Sequence, residues 1–413
     1  MASLTKQRIT PASLLPAAAC LPLTYSAIAH AHERFIKHDL RHAVDKAFFG
    51  RNPDAFLGIN PNMTLVGLHV AVIVAAFLVI WFLRNRIEQF VERRLFGFLK
   101  GKPQRMLHML GCFVVDRPVK GRIFHAISEW AVIFFMRSPG LVLMYSASND
   151  SLVMPSYPLD PASANAFKFL QVGVAILILT QTLLPLCGAI VVGLWIYLIR
   201  WGWMVSIDAA PVLTVAIVYM ASPWLSHKVA ITDINKQQMR MLRLVLGGGF
   251  FALGWLKVYN YNLVAGVGDN YPSVMNDPLM KLLAVGTDPA YARESWIVAF
   301  GMAEIMSGFL LMMGVFTRVW AAIMFFMFTK LMLVDFGWEE IPHIYPLGAM
   351  LVVITSSKHS CEFEKIEELS DRLARQGRTA RQMLSIAGPA IAVSLLLIFP
   401  ILFALTFIDR STL

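Results

Sequence analysis

Long apolar segments recur along the whole chain, and they restrict it to one class of fold. Hydrophobic residues make up 57% of the 413 residues, and charged residues only 15%. Soluble globular proteins are about 45–50% apolar and about 25% charged. Because several segments hold about 18 or more mostly apolar residues, we expect helices that cross a lipid bilayer. The sequence predicts an all-α, polytopic helical membrane protein.

The predicted spans and the charges between them define a topology. Segments rich in Lys and Arg at 84–125, 227–242 and 358–383 are expected on the cytoplasmic side. The chain is then a multi-pass protein of the bacterial inner membrane, and the lipid bilayer is its first partner. The spans number about ten, with a cytoplasmic segment and the last span in 358–413. Their predicted bounds are 61–83, 126–146, 166–184, 186–204, 208–226, 243–262, 295–315, 318–335, 342–357 and 384–408.

The N-terminal residues predict a secretory signal followed by a histidine-rich outer segment. Residues 1–29 have a basic start, an apolar stretch and a small-residue cleavage site, and an uncleaved anchor is the alternative. Cleavage before His30 would place His32 third from a free α-amine, an arrangement that suits Cu(II). An interfacial segment with incidental histidines is the alternative interpretation of residues 30–60. Residues 61–121 then hold the first span and a basic helix along the cytoplasmic surface.

An internal similarity predicts two tandem four-helix bundles. Residues 160–175 and 288–303 share Asp, Pro, Ala and Gly positions at an ungapped offset of 128 residues. We expect a degenerate repeat at 122–242 and a second bundle at 243–357, a parallel duplication of a kind found in membrane proteins. At this offset Glu304 corresponds to Ile176 and Arg318 to Ile190. The second copy alone keeps the polar residues.

Four charged residues lie inside or beside the predicted spans of the second copy. A charge at the bilayer centre costs about 2.5–3.5 kcal/mol on insertion scales, so each needs a partner. We expect Lys257, Glu304, Lys330 and Asp335 to form one layer near the outer face, with Tyr259 at its rim. Two hypotheses remain: buried salt bridges that fix the order of the helices, or a pocket for a small anion, a quinol headgroup or a proton relay.

Glycines are frequent in the two helices that carry these charges. Gly247 and Gly254 lie in the first helix, and Gly301 and Gly308 in the second. Small residues at such spacing let helix backbones approach closely in membranes. Close packing is expected to bring the helix of Lys257 against the helix that holds the carboxylate.

Three motifs resemble the DoxX family of small four-helix membrane proteins. They are R-x-x-x-G-x-x-F-x-x-x-G-x-x-K from Arg243 to Lys257, E-x-x-x-G-x-x-x-x-x-G from Glu304 to Gly314, and the pair Thr317-Arg318. The resemblance covers about 243–357, and more weakly the first copy. It implies association with quinone-linked sulfur oxidation, with terminal oxidases or with complexes that handle oxidative stress.

The resemblance and the buried charges together suggest a function. We expect a membrane subunit of a quinone-linked oxidoreductase or respiratory-type assembly, with Arg243, Tyr259 and Arg318 binding the cofactor, a quinone. Other membrane or outer-face proteins would supply the redox centre, because the chain has no haem, flavin or iron–sulfur motif. Whether the chain is itself an enzyme stays open.

Two other functions fit the same residues. One is a small-solute transporter or binding protein, and the other is an assembly factor that carries copper on His30 and His32. The four cysteines are scattered singly, which speaks against disulfide exchange, and no phosphate-binding loop or dinucleotide fingerprint is present. In a membrane protein the net charge of +10 reflects loop topology, so we expect no nucleic-acid partner.

Overall fold

The computed structural model describes most of the central part of the chain. The described residues are 63–91, 111–114, 116, 122–153, 159, 162–198, 209–223, 231–259, 289–330 and 343–356. Within these ranges the chain is helical and contains no strand, which confirms the all-α prediction. The predicted signal peptide at 1–29, the histidine-rich segment at 30–60 and the predicted last span at 384–408 lie outside the described residues.

Nine helices of ten or more residues make up the described part. Eight of them follow the apolar segments from residue 122 onward, and the first follows the apolar segment at 61–83. Their bounds are α1 Met63–Phe90, α2 Arg122–Ser148, α3 Ala164–Thr180, α4 Leu184–Leu198, α5 Pro211–Met220, α6 Lys236–Tyr259, α7 Pro289–Met313, α8 Thr317–Lys330 and α9 Ile344–Thr355.

The lengths of the apolar stretches differ from the prediction. Among the described helices, one stretch, Ile123–Ser148, is both long and apolar enough to cross a membrane by length and composition. The other apolar stretches in this part of the chain are 10–17 residues long. A span needs about 20 apolar residues for a hydrocarbon core of about 30 Å. The ten-span topology therefore stays a prediction.

The helices from α2 to α9 pack as two units of four. Each contact that the first unit makes with the second has a counterpart in which the corresponding helices of the two units are interchanged. The first unit is α2–α5 and the second is α6–α9. In each unit the first helix packs mainly on the second, and the third on the fourth. Between units, α2 packs on α9, α6 packs on α5, and α5 packs on α9. The contacts of the first unit with the second thus match those of the second unit with the first.

Two buried tyrosines connect α5 and α9 to α2 and to the turn that follows it. The hydroxyl of Tyr219 in α5 donates to the carbonyl of Met136 in α2 at 2.8 Å. The hydroxyl of Tyr345 in α9 donates to the carbonyl of Val153, just after α2, at 3.4 Å. Buried hydroxyl groups need such partners, because an unsatisfied one costs about 1–3 kcal/mol. These two hydrogen bonds therefore satisfy the tyrosine hydroxyls and tie α5 and α9 to α2 and to the turn after it.

The turns between α3 and α4 and between α7 and α8 have the same backbone form. Gln181 and Leu183 have φ of 55° and 49°, and Gly314 and Phe316 have φ of 76° and 48°. Both helices end with the two hydrogen bonds of a left-handed C-terminal cap. These are Gln181 N to Ile178 O, Thr182 N to Leu177 O, Gly314 N to Leu311 O and Val315 N to Leu310 O, at 2.9–3.2 Å.

This match changes the alignment of the two copies. Each residue of the first turn corresponds to the residue 133 positions later, so the ungapped offset of 128 is wrong for these helices. The reason is that α7 has 25 residues and α3 has 17. An alignment that matches the Asp-Pro-Ala segments near the starts of the two helices therefore does not match their C-terminal ends. Glu304 corresponds to Gln171, not to Ile176, and Arg318 corresponds to Pro185.

Candidate functional site

Among the described helices, α6 and α7 are the most closely packed pair, and glycines form the contacts between them. A Cβ atom added at Gly247 would lie 2.5 Å from the carbonyl oxygen of Gly308 and 2.9 Å from the amide nitrogen of Met312. A Cβ at Gly254 would clash with the carbonyl oxygen of Gly301. The pairing of 247 with 308 and 254 with 301 shows that the two helices are antiparallel. Side chains larger than hydrogen would push them apart.

Glu304 lies between the two glycine contacts. It is three residues from Gly301 and four from Gly308, so it shares their helix face toward α6. The antiparallel register places it opposite Phe251, and its side chain is fully buried. Ser307, also fully buried, lies one turn further along α7. The site therefore has a carboxyl group and a hydroxyl group in an interface of glycine and aromatic residues.

Basic residues lie along the same interface on both sides of this carboxyl group. Arg243, Gly247, Phe250, Gly254 and Lys257 alternate at spacings of four and three residues, which follow one face of α6. The register places Arg243 about 12 Å along the helix axis from the level of the carboxylate, toward the end where α6 begins. The Lys257 backbone lies about 9 Å from it in the opposite direction. Arg243 is fully buried.

The other predicted members of the polar layer are placed differently. Lys330 is the last residue of α8, where it is exposed, so it is not part of the buried set. The reason is its place at a helix end, where a long basic side chain can reach solvent. Tyr259 is the last residue of α6, and its side chain lies outside the described part. Asp335 also lies outside the described residues. The four-residue layer stays a prediction.

The first unit holds a polar side chain in the place of the carboxylate. Gln171 is fully buried in α3, and its Nε2 donates to the carbonyl of Ser151 at 2.9 Å. The amide of Val153 donates to Oε1 of the same side chain at 2.6 Å. Gln171 thus uses one donor and one acceptor to hold the chain that follows α2. The sequence signal was a single glutamine in the middle of an apolar helix. The ungapped alignment paired Glu304 with Ile176, so it did not show that Gln171 is the equivalent residue.

A second polar cluster closes the end of the bundle where α8 begins. The amide nitrogen of Thr317 donates to Oδ2 of Asp116 at 2.6 Å, and that of Arg318 donates to Oδ1 at 3.0 Å. The first amides of a helix have no partner within the helix, so a carboxylate from another segment caps α8. Burial raises the pKa of Asp116 above its ordinary value, although these hydrogen bonds oppose the effect. We call Asp116, Thr317 and Arg318 the junction.

The guanidinium group of Arg318 binds two further segments at the junction. Its Nη1 donates to the carbonyl of Cys112 at 3.1 Å, and its Nη2 donates to the carbonyl of Ser356. Its Cζ lies 5.9 Å from the ring centroid of Phe124, within the range of a cation–π interaction. Arg318, predicted as a cofactor-binding residue, is fully buried and joins the segment before α2 to the ends of α8 and α9. This geometry gives it a structural role.

The described residues show no group of three or more His, Cys, Asp or Glu side chains that could hold a metal ion. His30 and His32, the predicted copper ligands, lie outside these residues. The side chains of Cys112 and Cys187 are buried.

Comparison of the chain with family models, with curated proteins and with solved structures finds no match.

Proposed function

We propose that this chain is an integral membrane subunit of a quinone-linked oxidoreductase assembly of the bacterial inner membrane. In this proposal Glu304 accepts a hydrogen bond and a proton from a quinol headgroup. The observation that supports it is the complete burial of Glu304 between two glycine contacts of α6 and α7. An ionisable side chain in such a place is costly, and intramembrane carboxylates of this kind commonly mark proton and substrate pathways.

The comparison of the two units separates structure from chemistry. Gln171 occupies the equivalent place in the first unit and satisfies local hydrogen bonds as a neutral amide. A neutral residue is therefore sufficient for this position in a four-helix unit. A carboxyl group differs from an amide in one respect that matters here, since it can gain and lose a proton near neutral pH. The second unit has the group that proton transfer requires.

The basic residues of the α6 face support an anionic or proton-exchanging site. Arg243 and Lys257 lie on opposite sides of Glu304 along the helix axis, and opposite charges usually compensate each other inside a membrane. We propose Lys257 as the partner toward the outer face. The resemblance to DoxX-like proteins adds the quinone and the partner proteins, which would carry the redox centre. The bilayer would supply the quinol.

A transporter is the second candidate function, and the presence of two four-helix units with corresponding contacts favours it. Many transporters consist of structural repeats with a polar site near the middle of the membrane. The copper-carrying assembly factor rests on His30 and His32 and stays a prediction. Mass spectrometry of the mature N-terminus tests it, because any start other than His30 removes the chelate.

The test uses the native membrane and a matched pair of variants. Membranes with Glu304→Gln should lose at least about tenfold in quinol oxidation, because the amide cannot take the proton. The control variant Gln171→Glu makes the reverse change, from an amide to a carboxyl group, at the equivalent position of the first unit, and it should retain the activity. Partners that purify with the wild-type chain should also purify with Glu304→Gln. Equal quinol oxidation by wild type and Glu304→Gln would reject the proposal, and solute uptake abolished by the same variant would support the transporter.

A further inference from the structure

Helix α1 packs along the side of the α6–α7 pair. Its residues Ile73 and Phe77 are 3% and 1% exposed. The ring of Phe77 lies 5.0 Å from the ring of Phe309 in α7, edge to face, and Phe309 lies 6.0 Å from Phe251 in α6. These side chains form a separate apolar cluster with Ile305. The second unit thus has a docking face for one additional helix.

The two helix pairs that correspond to each other pack in the same way. Gly140 in α2 lies against the carbonyl oxygen of Ala175 and the side chain of Leu179. Gly247 in α6 lies against the carbonyl oxygen of Gly308 and the side chain of Met312, which are the equivalents of Ala175 and Leu179 at an offset of 133. The α2–α3 pair is therefore the counterpart of the α6–α7 pair. The side of α3 that corresponds to the side of α7 under α1 can be compared with it residue by residue.

The equivalent face of the first unit is exposed. Ile305 and Phe309, under α1, are 0% and 3% exposed, whereas their equivalents Val172 and Ile176 in α3 are 37% and 49% exposed. A Cβ added at Gly173, between them, would meet no atom within 4 Å. This apolar face of α3, which we call the open face, has the position and composition of the face that α1 covers, but none of the described helices covers it.

The chain itself has a segment that can reach the open face. Arg318 binds the carbonyl of Ser356, so α9 ends at the junction end of the bundle. Gly140 lies against Ala175, whereas Ser151, just after α2, binds Gln171, so α2 and α3 are antiparallel. Thr180, the end of α3, therefore lies at the same end of the bundle. From Ser356 to residue 384 the chain has 28 residues, which can span up to about 90 Å when extended. Reaching α3 from α9 across α2 requires about 20 Å, two helix diameters.

We propose that the apolar segment 384–408 docks as a helix on the open face of α3. The segment has 25 residues and no Asp, Glu, Lys, Arg or His, so its surface matches an apolar face. Gly173 lets a helix backbone approach closely, as small residues do at helix contacts in membranes. The two helices that flank the tandem units would then cover the two equivalent faces. The helix before the units lies on the second unit, and the helix after them lies on the first.

The experiment is disulfide crosslinking in the full-length chain in its membrane. Val172 lies about 12 Å from the junction end of α3, and residues 391–394 lie at a similar distance from the start of the segment. Val172→Cys is combined in turn with Ile391→Cys, Ala392→Cys, Val393→Cys and Ser394→Cys, and the single variants control for the native thiols. Phe326→Cys is the matched control partner, since it is an exposed apolar residue of α8 at a similar depth.

The proposal expects an intramolecular disulfide with Val172→Cys in one or two of the four variants and none with Phe326→Cys. A disulfide between two chains would show that a second copy covers the face, and would reject the proposal. Absence of crosslinking in all four variants would leave lipid as the occupant and would also reject it. Crosslinking to Phe326→Cys in place of Val172→Cys would place the segment on the second unit. None of these outcomes depends on quinol activity.

Discussion

Glu304 of α7 and Gln171 of α3 occupy equivalent positions in the two four-helix units. Both side chains are fully buried, and both lie on the helix face that packs on the first helix of their unit. The turns that follow the two helices have the same hydrogen bonds at the same offset. Both units therefore have a buried polar group at this position, an amide in the first unit and a carboxyl group in the second. A neutral amide is therefore sufficient for the fold at this position of the first unit.

Replacing Gln171 with Leu should destabilise the chain by about 1–3 kcal/mol, because the amide of Val153 and the carbonyl of Ser151 would lose their buried partner. Glu304→Gln should change stability by less than about 1 kcal/mol, since the amide occupies this position in the first unit. Thermal unfolding in detergent measures both. A large loss in Glu304→Gln would mean that the charge itself holds the fold together, as the salt-bridge hypothesis requires.

Replacing Gly247 with Ala should be far more damaging than the same change at Gly193. At position 247 the new Cβ would lie 2.5 Å from the carbonyl oxygen of Gly308, so α6 and α7 must separate at a cost of about 1–3 kcal/mol or more. At Gly193 in α4 no atom lies within 4 Å, and Ala should stabilise the helix by about 0.5–1 kcal/mol. The measurement is the unfolding temperature of the two variants. Equal effects would contradict the close contact.

The positions of the helices could be predicted from the sequence because apolar segments and turn residues are local signals. The prediction at 126–146 corresponds to Arg122–Ser148, and the prediction at 318–335 to Thr317–Lys330. Close packing of α6 on α7 could also be expected, since its glycines are visible at heptad spacing. These features depend on residues near each other in the chain.

The junction could not be predicted in this way. Asp116 and Arg318 are 202 residues apart in sequence, and nothing local marks the aspartate as a helix cap. The equivalence of Gln171 with Glu304 was missed for a related reason. The two copies have helices of different length, so only the backbone of the turns shows which residues correspond. The exposure of Lys330 could not be predicted either, because the depth of a residue along a helix does not determine the direction of its side chain.

Asp116→Ala should destabilise the chain by about 1–3 kcal/mol, because two amides at the start of α8 lose their acceptor. Asp150→Ala is the matched control. Its carboxylate pairs with Lys168 at the surface, and such pairs contribute about 0–1 kcal/mol. Unfolding temperatures of the two variants at neutral pH make the comparison. If the two losses were equal, the cap would not be an important part of the junction.

The stability of the junction should also depend on pH in a direction set by Asp116. Burial raises its pKa above 3.8, more than the hydrogen bonds from Arg318 and Thr317 lower it, so the folded chain holds this proton more tightly than the unfolded chain. The contribution to stability is full below 3.8 and is lost as the pH rises through the raised pKa. In Asp116→Asn the side chain stays neutral at every pH. The unfolding temperature of wild type relative to Asp116→Asn should therefore be highest at acid pH and fall as pH increases. A relative stability that grows with pH would mean that the attraction of Arg318 for the carboxylate outweighs burial.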